Sequence, residues 1–505
     1  MTPRYLLGID AGQTAVKAVL HDELMRPVAV ARRASPVEKN TPRRAERSQD
    51  ALWEVAADAI GEAVRISGVD PADVVGVAVA GHGDGLHLVD AAGAPVGPAI
   101  TAVDSRAWQE ADEVLADPDR FRTVLELSGQ HPSAGGAGPL LLWLSRHQPE
   151  LVDRAHTMLF CKDVIRLRLT GVVSTDLSDA TASFLDTASA TWSSDVLAAY
   201  GLSGLERLLP ELQCSADPAG TLTREAAMRT GLKEGTSVIA GMHDVQAASI
   251  GMGALVPGRL AMVAGSFSTN GVTTTRPDVD PRWQSRLSIT PDLRIAMSTS
   301  PTASPSVEWM LRLLGANDDA GRDALFAEAA ALDPSAEVPL VLPYFYASPV
   351  GPDASATMAG VRGWHTRAHM FRALLEGIVL MHYWHTRALG EKFSWEHPLV
   401  LGGGLSRSPL YVQLVANVLR APIQVVDNDE AGAFGAAALA GVTAGLFESI
   451  ESAQALVEKA PVVEPSGESA GYWSALTNSF DELGDALAPW WAKSDSDVAG
   501  SETGE

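Results

Sequence analysis

Tyr5-Leu6-Leu7-Gly8-Ile9-Asp10-Ala11-Gly12-Gln13-Thr14 opens the chain with an apolar run, a carboxylate and a glycine-containing turn that ends on a hydroxyl. Tyr5–Ile9 has the pattern of a buried strand, Asp10–Thr14 reads as a turn, and Val16–Leu20 reads as a second strand. The stretch therefore predicts a β-hairpin. A near-repeat follows much later: Leu260-Ala261-Met262-Val263-Ala264-Gly265-Ser266 again runs apolar strand, glycine and hydroxyl-rich turn. Repeated units imply repeated architecture. Two related domains, each offering a glycine hairpin to a shared cleft, would suit a nucleotide.

Working outward, Ser237–Ala240 is a short apolar run, Gly241 turns the chain, and Asp244 opens a small-residue helix that reaches Gly251. Two readings of Asp244 stand side by side. It is a helix N-cap, a position Asp fills well, or it is the carboxylate of a phosphoryl-transfer site. Ser48 caps a helix whose apolar positions Leu52, Trp53, Ala56, Ile60 and Ala63 follow a helical period. Val74–Ala80 reads as a strand, Gly81–Gly85 as a glycine-rich turn and Leu86–Val89 as another strand. Strands and helices mix within the first hundred residues, so the fold class is α/β. Residues 105–235 read as helices with short insertions. The chain after Pro277 is expected to be irregular until a helix at Val307–Leu314. Thr366 caps a long helix, Pro398–Leu401 is a strand ending in Gly402-Gly403-Gly404, and Ser408 caps a helix with Pro409 at its first position. Glu430-Ala431-Gly432 opens a further helix.

The chain has 505 residues, too many for one core, with 46% apolar and 20% charged residues. The net charge of −24 argues against nucleic acid and against an anionic membrane surface. It leaves a nucleotide open, since local N–H groups and a metal ion suffice for that. Cys161 and Cys214 belong to no CxxC pair, and a reducing cytoplasm fits them. Tyr5–Ile9 is too short for a signal sequence. Gly432–Phe447 is apolar but shorter than the ~20 residues a membrane span needs, and reads as a buried helix.

Several patterns carry candidate chemistry. Gly12 lets backbone approach a phosphate, Thr14 can donate to it, and Asp10 can hold Mg2+ through water; an ordinary hairpin turn explains the same residues. In Gly81-His82-Gly83-Asp84-Gly85 alternate glycines expose His82 and Asp84, which suits a polyol or a bulged hairpin equally. The chain has no GxxxxGK[ST], and Gly402–Gly404 is not GxGxxG. His365 and His369 stand four apart but lack the glutamate of HExxH, and His382 and His385 fit a helix face better than a metal site. No Ser/His/Asp or Cys/His triad is visible.

Taken in order, these residues resemble the FGGY family of carbohydrate kinases. Gly8–Thr14 is similar to that family's first phosphate hairpin, Asp104-Ser105-Arg106-Ala107 to its D-x-R-A segment, and Gly241–Gly251 to the segment holding its catalytic aspartate. Gly265-Ser266-Phe267-Ser268 resembles its second phosphate hairpin, and Arg372-Ala373-Leu374-Leu375-Glu376-Gly377 its R-A-x-x-E-G helix. Gly402–Ser408, Gln413, Asn417 and Glu430–Ala437 resemble its adenosine-side signature. The resemblance implies two ribonuclease H-like domains, of the actin/hexokinase type, flanking a deep catalytic cleft. Residues 1–240 would form the N-terminal, sugar-binding domain and 241–492 the C-terminal, ATP-binding domain. Residues 493–505 would be a disordered acidic tail.

The roles that the resemblance implies are specific. Asp244 is the general base, and Asp10 positions Mg2+. Gly12, Gln13, Thr14, Gly265 and Ser266 face the phosphates of ATP, while Gly403, Gly404 and Ser408 lie near the adenosine. His82, Gly83, Asp84, Asp244 and Val245 line the sugar or polyol. Expected partners are a small sugar and ATP, with no nucleic acid or membrane; a homodimer is left open as the assembly. Many members carry Gln-Met-His-Gly where this chain has His82-Gly83-Asp84-Gly85. Taken together, the departures are most similar to the bacterial L-xylulose kinase branch, which also handles 3-keto sugar acids; the Gly-Asp-Gly of 83–85 resembles erythritol kinases. The expected acceptor is therefore a ketopentose such as L-xylulose or a keto sugar acid, with a tetritol as the alternative. A non-catalytic binding regulator and an actin-like ATPase are the rivals on the same scaffold, and the cleft is expected to close on its substrates.

Overall fold

Leu6 to Ala11 pairs antiparallel with Val16 to His21, so the opening hairpin forms as expected, but its first strand is Tyr5–Ala11 and contains Asp10. The turn is only Gly12–Thr14, closed by Gly12 N donating to Ala15 O at 3.0 Å. This is a computed structural model, and it describes residues 3–35, 37–38, 41–351, 354–467 and 470–499. The chain forms two compact units. The first holds residues 1–257, 273–296 and 430–457; the second holds 258–272, 297–429 and 458–505. The sequence cut at 240/241 thus differs from the spatial division. The helix Asp244–Gly251 and the helix Ala431–Thr443 group with the first unit because they pack on each other and the latter lies on its sheet.

In the first unit the strands run in the order Pro218–Thr221, Ser237–Ile239, Val74–Gly81, Tyr5–Ala11, Ala15–His21, Pro27–Ala34. Ser237–Ile239, Val74–Gly81 and Tyr5–Ala11 are parallel neighbours. Strand alternation sends Leu7 and Ile9 to one face. There they join Leu52, Ala56, Ile60 and Ala63 of the helix Gln49–Ser67 in one apolar core. Ser48 caps that helix, its Oγ accepting from Ala51 N at 3.2 Å. Gly8, between Leu7 and Ile9, faces the other way, against Ala433 of the buried helix Ala431–Thr443.

The sheet built on the second hairpin repeats this plan. Its order is Val462–Val463, Ile423–Val425, Leu399–Gly402, Leu260–Ala264, Ser268–Thr274, Arg294–Ser300, Gln284–Leu287. The hairpin Leu260–Ala264/Ser268–Thr274 is antiparallel, the next two neighbours are parallel, and Val462–Val463 is antiparallel, each step matching the first sheet in sense. The near-repeat read in the sequence is therefore a repeat of topology.

Two expectations are corrected. The stretch after Pro277 is not irregular: it forms the strands Gln284–Leu287 and Arg294–Ser300. Its pattern hides the strands because they bury polar side chains, Ser285, Arg286 and Arg294 among them. The helix expected at Val307–Leu314 begins earlier, at Ser304. The final helix is Ala470–Ala499, and residues 500–505 of the expected tail lie outside the described residues. Among the described residues no helix is long and apolar enough to cross a membrane.

Candidate active site

The chemistry-bearing residues of the first unit gather at one edge of its sheet. Asp10 pairs with Ala80 and Ala11 with Gly81, while Met242 and His243 pair in parallel with the same Ala80 and Gly81. Three chain segments therefore end side by side, delivering Asp10, His82 and Asp244 to the carboxyl ends of parallel strands. That edge is where open α/β sheets place their ligands.

His243, not Asp244, is the N-cap of the helix Asp244–Gly251, so the cap reading moves by one residue. Asp244 is the first helical residue, where the helix dipole favours its charge. Its Oδ1 lies 2.9 Å from His243 Nδ1. On the other side of the ring, Nε2 lies 2.6 Å from Arg286 Nη1. A guanidinium only donates. In the neutral ring Nε2 therefore accepts, while Nδ1 stands between Asp244 Oδ1 and the N–H of Val245, at 3.2 Å, which it caps. Burial presses the His243 imidazole down, but the charge of Asp244 and its hydrogen bond outweigh this and leave it raised, against the opposing charge of Arg286. Arg286 is buried and also reaches Gln130 Oε1 at 3.1 Å and Asp84 Oδ2 at 3.3 Å. Gly83 admits this ring: a Cβ there would lie 2.1 Å from His243 Nε2.

Asp10 is half-buried in the strand end. Burial first, then the charge of Asp244, push its carboxyl up to about 7, with Lys17 pulling the other way. Lys17 Nζ itself pairs with Glu430 Oε2 at 3.0 Å. The start of the helix Ala431–Thr443 closes on the carboxylate, and a Cβ on Gly432 would lie 2.8 Å from Asp10 Cγ.

His82 is placed differently from the expectation of an exposed sugar ligand. It is buried, with Nε2 2.5 Å from Arg47 Nη2 and Nδ1 3.0 Å from Gln13 Nε2. Burial and then Arg47 hold it well below the ordinary histidine value, so the ring is neutral. Asp84 keeps partial exposure, in a left-handed conformation at φ 59°. Beneath these residues lies a buried cluster that sequence reasoning missed. Lys162 Nζ meets Asp163 Oδ1 at 2.6 Å, Asp176 Oδ1 at 2.8 Å and Asp179 Oδ2 at 3.0 Å. Ser178 Oγ donates to Asp176 at 2.6 Å and accepts from His243 N at 2.9 Å, which ties the cluster to the N-cap. Arg286, Arg47 and Lys162 were legible only as isolated cations, because no local pattern announces a buried partner.

In the second unit the turn at Gly265 and the glycine run at Gly402–Gly404 sit at the ends of adjacent parallel strands, with Val263 paired to Gly402. Ser304 N donates to Gly265 O at 2.8 Å, and Ser266 is exposed. Gly403 is left-handed at φ 92°, and Gly404 opens a short 3-10 turn. Ser408 caps the helix Pro409–Leu419 as expected, its Oγ accepting from Tyr411 N at 3.3 Å. Of the expected site residues, Asp10, Gly12, Gln13, Thr14, His82, Gly83, Asp84, Asp244 and Val245 thus belong to the first unit. Gly265, Ser266, Gly403, Gly404 and Ser408 belong to the second. The histidine pairs do other work. His369 Nδ1 serves the Thr366 cap at 2.9 Å, and His365 Nδ1 accepts from Arg362 N at 3.0 Å. His382 and His385 are buried against Asn270, Ser298 and Ser300.

Residues 5–251 match the N-terminal domain of the FGGY family of carbohydrate kinases, and residues 260–444 match its C-terminal domain. The chain is 30% identical to the L-xylulose/3-keto-L-gulonate kinase of Escherichia coli, over 89% of this chain and 90% of that one. It is 29% identical to an autoinducer-2 kinase of Klebsiella pneumoniae, over 89% of this chain and 87% of that one. Among solved structures, a xylulose kinase from Rhodospirillum rubrum superposes with a TM-score of 0.89 at 28% identity, covering 97% of this chain and all of that one. The chain belongs to the FGGY family of carbohydrate kinases. It is a sugar kinase that uses ATP as phosphate donor.

Proposed function

We propose that this kinase transfers the γ-phosphate of ATP to a hydroxyl of a small ketose, a ketopentose such as L-xylulose, in the cytoplasm. The observation that carries the reading is the setting of Asp244. It is the first residue of a helix, 2.9 Å from the Nδ1 of a histidine that Arg286 holds from the other side. A carboxylate held in one orientation can take the proton of an attacking hydroxyl. Arg286 directs three of its N–H donors to His243, Gln130 and Asp84. The partly exposed groups beside it are the carboxylates Asp84 and Asp244, which suit hydroxyls, and this favours a neutral ketose over a sugar acid.

Asp10 and Asp244 are hard oxygen donors. Mg2+ is commonly held by one or two carboxylates completed by substrate phosphates. The upward push on Asp10 from its neighbour Asp244 fits a place for a cation. Among the described residues no group of three or more His, Cys, Asp or Glu side chains stands ready to hold a metal without such help. Bound there with ATP, Mg2+ would neutralise charge on the transferring phosphoryl group. The chain's own residues would position it: Asp10 toward the cation, and Gly12, Gln13 and Thr14 with Gly265 and Ser266 toward the phosphates. Gly403, Gly404 and Ser408 would lie by the adenosine, and Gly83, Asp84 and Val245 by the sugar.

A coupled ADP-release screen over pentuloses, 3-keto sugar acids, tetritols and autoinducer-2 tests the reading. The expected result is the highest kcat/KM on a pentulose. A tetritol or autoinducer-2 as the best acceptor would replace the ketopentose assignment, and ADP release independent of any acceptor would favour a bare ATPase.

A further inference from the structure

The buried contact between Arg47 and His82 has a consequence for the first hairpin turn. Arg47 is 1% exposed and is also held by Ser35 Oγ at 2.8 Å. Its Nη2 stands 2.5 Å from His82 Nε2. Since the guanidinium only donates, Nε2 accepts and the single proton of the neutral ring is on Nδ1. Nδ1 then faces two partners, the Gly83 carbonyl at 3.3 Å and the end of the Gln13 side chain at 3.0 Å. The atom of Gln13 placed there is Nε2, which would set one N–H against another. The same amide leaves its Oε1 buried with no partner. Amide oxygen and nitrogen are assigned from their surroundings. Exchanging them resolves the first fault and restates the second: Oε1 accepts from His82 Nδ1, and the NH2 takes the buried position that offers no protein acceptor.

We propose that Arg47 and His82 are positioning residues that turn the Gln13 amide so that its NH2 donates to a phosphate oxygen of the bound nucleotide. The inference rests on the phosphotransfer reading above, which puts this turn at the phosphates. The order Arg47, His82, Gln13 parallels Arg286, His243, Asp244: in each, a buried arginine contacts the histidine Nε2, and Nδ1 faces the group that works. Gly83 stands between the two rings. His82 on this account is not a sugar ligand; its effect reaches the phosphate side through Gln13. An unpartnered buried NH2 destabilises the free turn, and a phosphate acceptor removes that cost when ATP binds. That is a reason for the turn to prefer an anion.

Two measurements test the inference. The first is the 15N signature of His82 in the full-length unliganded protein, assigned through a His82→Gln variant. A protonated Nδ1 with a pyridine-type Nε2 is expected. A protonated Nε2, the tautomer favoured by free histidine, overturns the inference whatever the enzyme does. The second uses Gln13→Glu, which keeps an acceptor for His82 but presents a carboxylate oxygen to the phosphate. Its thermal midpoint should match the wild type, the sugar KM should stay within about threefold, and kcat should fall about tenfold or more. Arg47→Lys, which retains a donor to His82, should keep more kcat than Arg47→Met. Unchanged kcat in Gln13→Glu overturns the inference. A wild-type chain that turns over no acceptor would sink the phosphotransfer reading and this one with it, and the tautomer measurement tells that failure apart from a wrong relay.

Discussion

Arg286 and His243, 43 residues apart in the chain, meet at 2.6 Å between Nη1 and Nε2. This contact holds the ring whose other nitrogen, Nδ1, faces Asp244 at 2.9 Å. Arg286→Met should lower kcat by about 10–100-fold, the range expected when a reacting group loses its orientation. Because Arg286 also holds Asp84 and Gln130, the sugar KM should rise as well, while the ATP KM stays near that of the wild type. Steady-state kinetics with both substrates varied would show this; an unchanged kcat would mean the contact is only structural.

Gly83 is the second point of control. A methyl group there would stand 2.1 Å from His243 Nε2. Gly83→Ala must displace the ring or the strand end, at about 1–3 kcal/mol for forcing a group into packed space. Thermal unfolding should show a lower midpoint, and kcat should fall along with it. A variant with native stability and native kcat would show that the ring has room to spare.

The Lys162 cluster is the floor beneath the site. With three carboxylates within 3.0 Å of one buried ammonium, removing the cation leaves buried charges without compensation. Lys162→Met keeps the stem and should cost about 3–5 kcal/mol, read as a fall in the denaturant midpoint. Asp179, whose carboxyl burial pushes up to about 7, would take up a proton first in such a variant.

Arg372 and Glu376, within the R-A-x-x-E-G segment of the second unit, form a buried ion pair at 2.7 Å, and Tyr472 donates to Glu376 at 3.1 Å. Burial pushes Glu376 up from 4.5 to about 7, only partly opposed by Arg372. A carboxyl raised in the folded state binds its proton more tightly there than when unfolded. Its contribution is complete below pH 4.5 and is lost as the pH climbs to about 7. Glu376→Gln removes that dependence. Its stability relative to wild type should therefore improve as pH rises from 4.5 to 7, which unfolding curves at several pH values would read. A difference that stays flat with pH would contradict the assignment.

Much of the architecture was legible because it rests on local pattern. The hairpins at Tyr5 and Leu260 announce themselves by an apolar run and a glycine turn, and the caps at Ser48 and Ser408 by residue type. The boundary errors have a common cause. Asp10 reads as a turn residue, yet it ends a strand because both neighbouring strands pair with it or beside it. Asp244 reads as a cap, but His243 takes that place because its ring is held between Arg286 and the helix start. Gln284–Leu287 reads as irregular because it buries Ser285 and Arg286, which carry no apolar alternation. What escaped the sequence altogether were the partners of buried cations. Arg47 and Arg286 find theirs across tens to more than a hundred residues, Lys162 reaches beyond its neighbour Asp163 to Asp176 and Asp179, and their roles exist only once the sheet edge has formed.

The most direct test of the central claim is acceptor-dependent ADP release by Asp244→Asn, with nucleotide affinity measured on the same preparation. Asparagine keeps the shape of the side chain and a carbonyl oxygen facing His243 Nδ1, but it cannot take a proton. The account predicts near-wild-type ATP affinity and thermal midpoint with kcat reduced by about 100-fold or more, the span ascribed to a general base. Sugar-dependent turnover at the wild-type rate would contradict the assignment of Asp244 as the base.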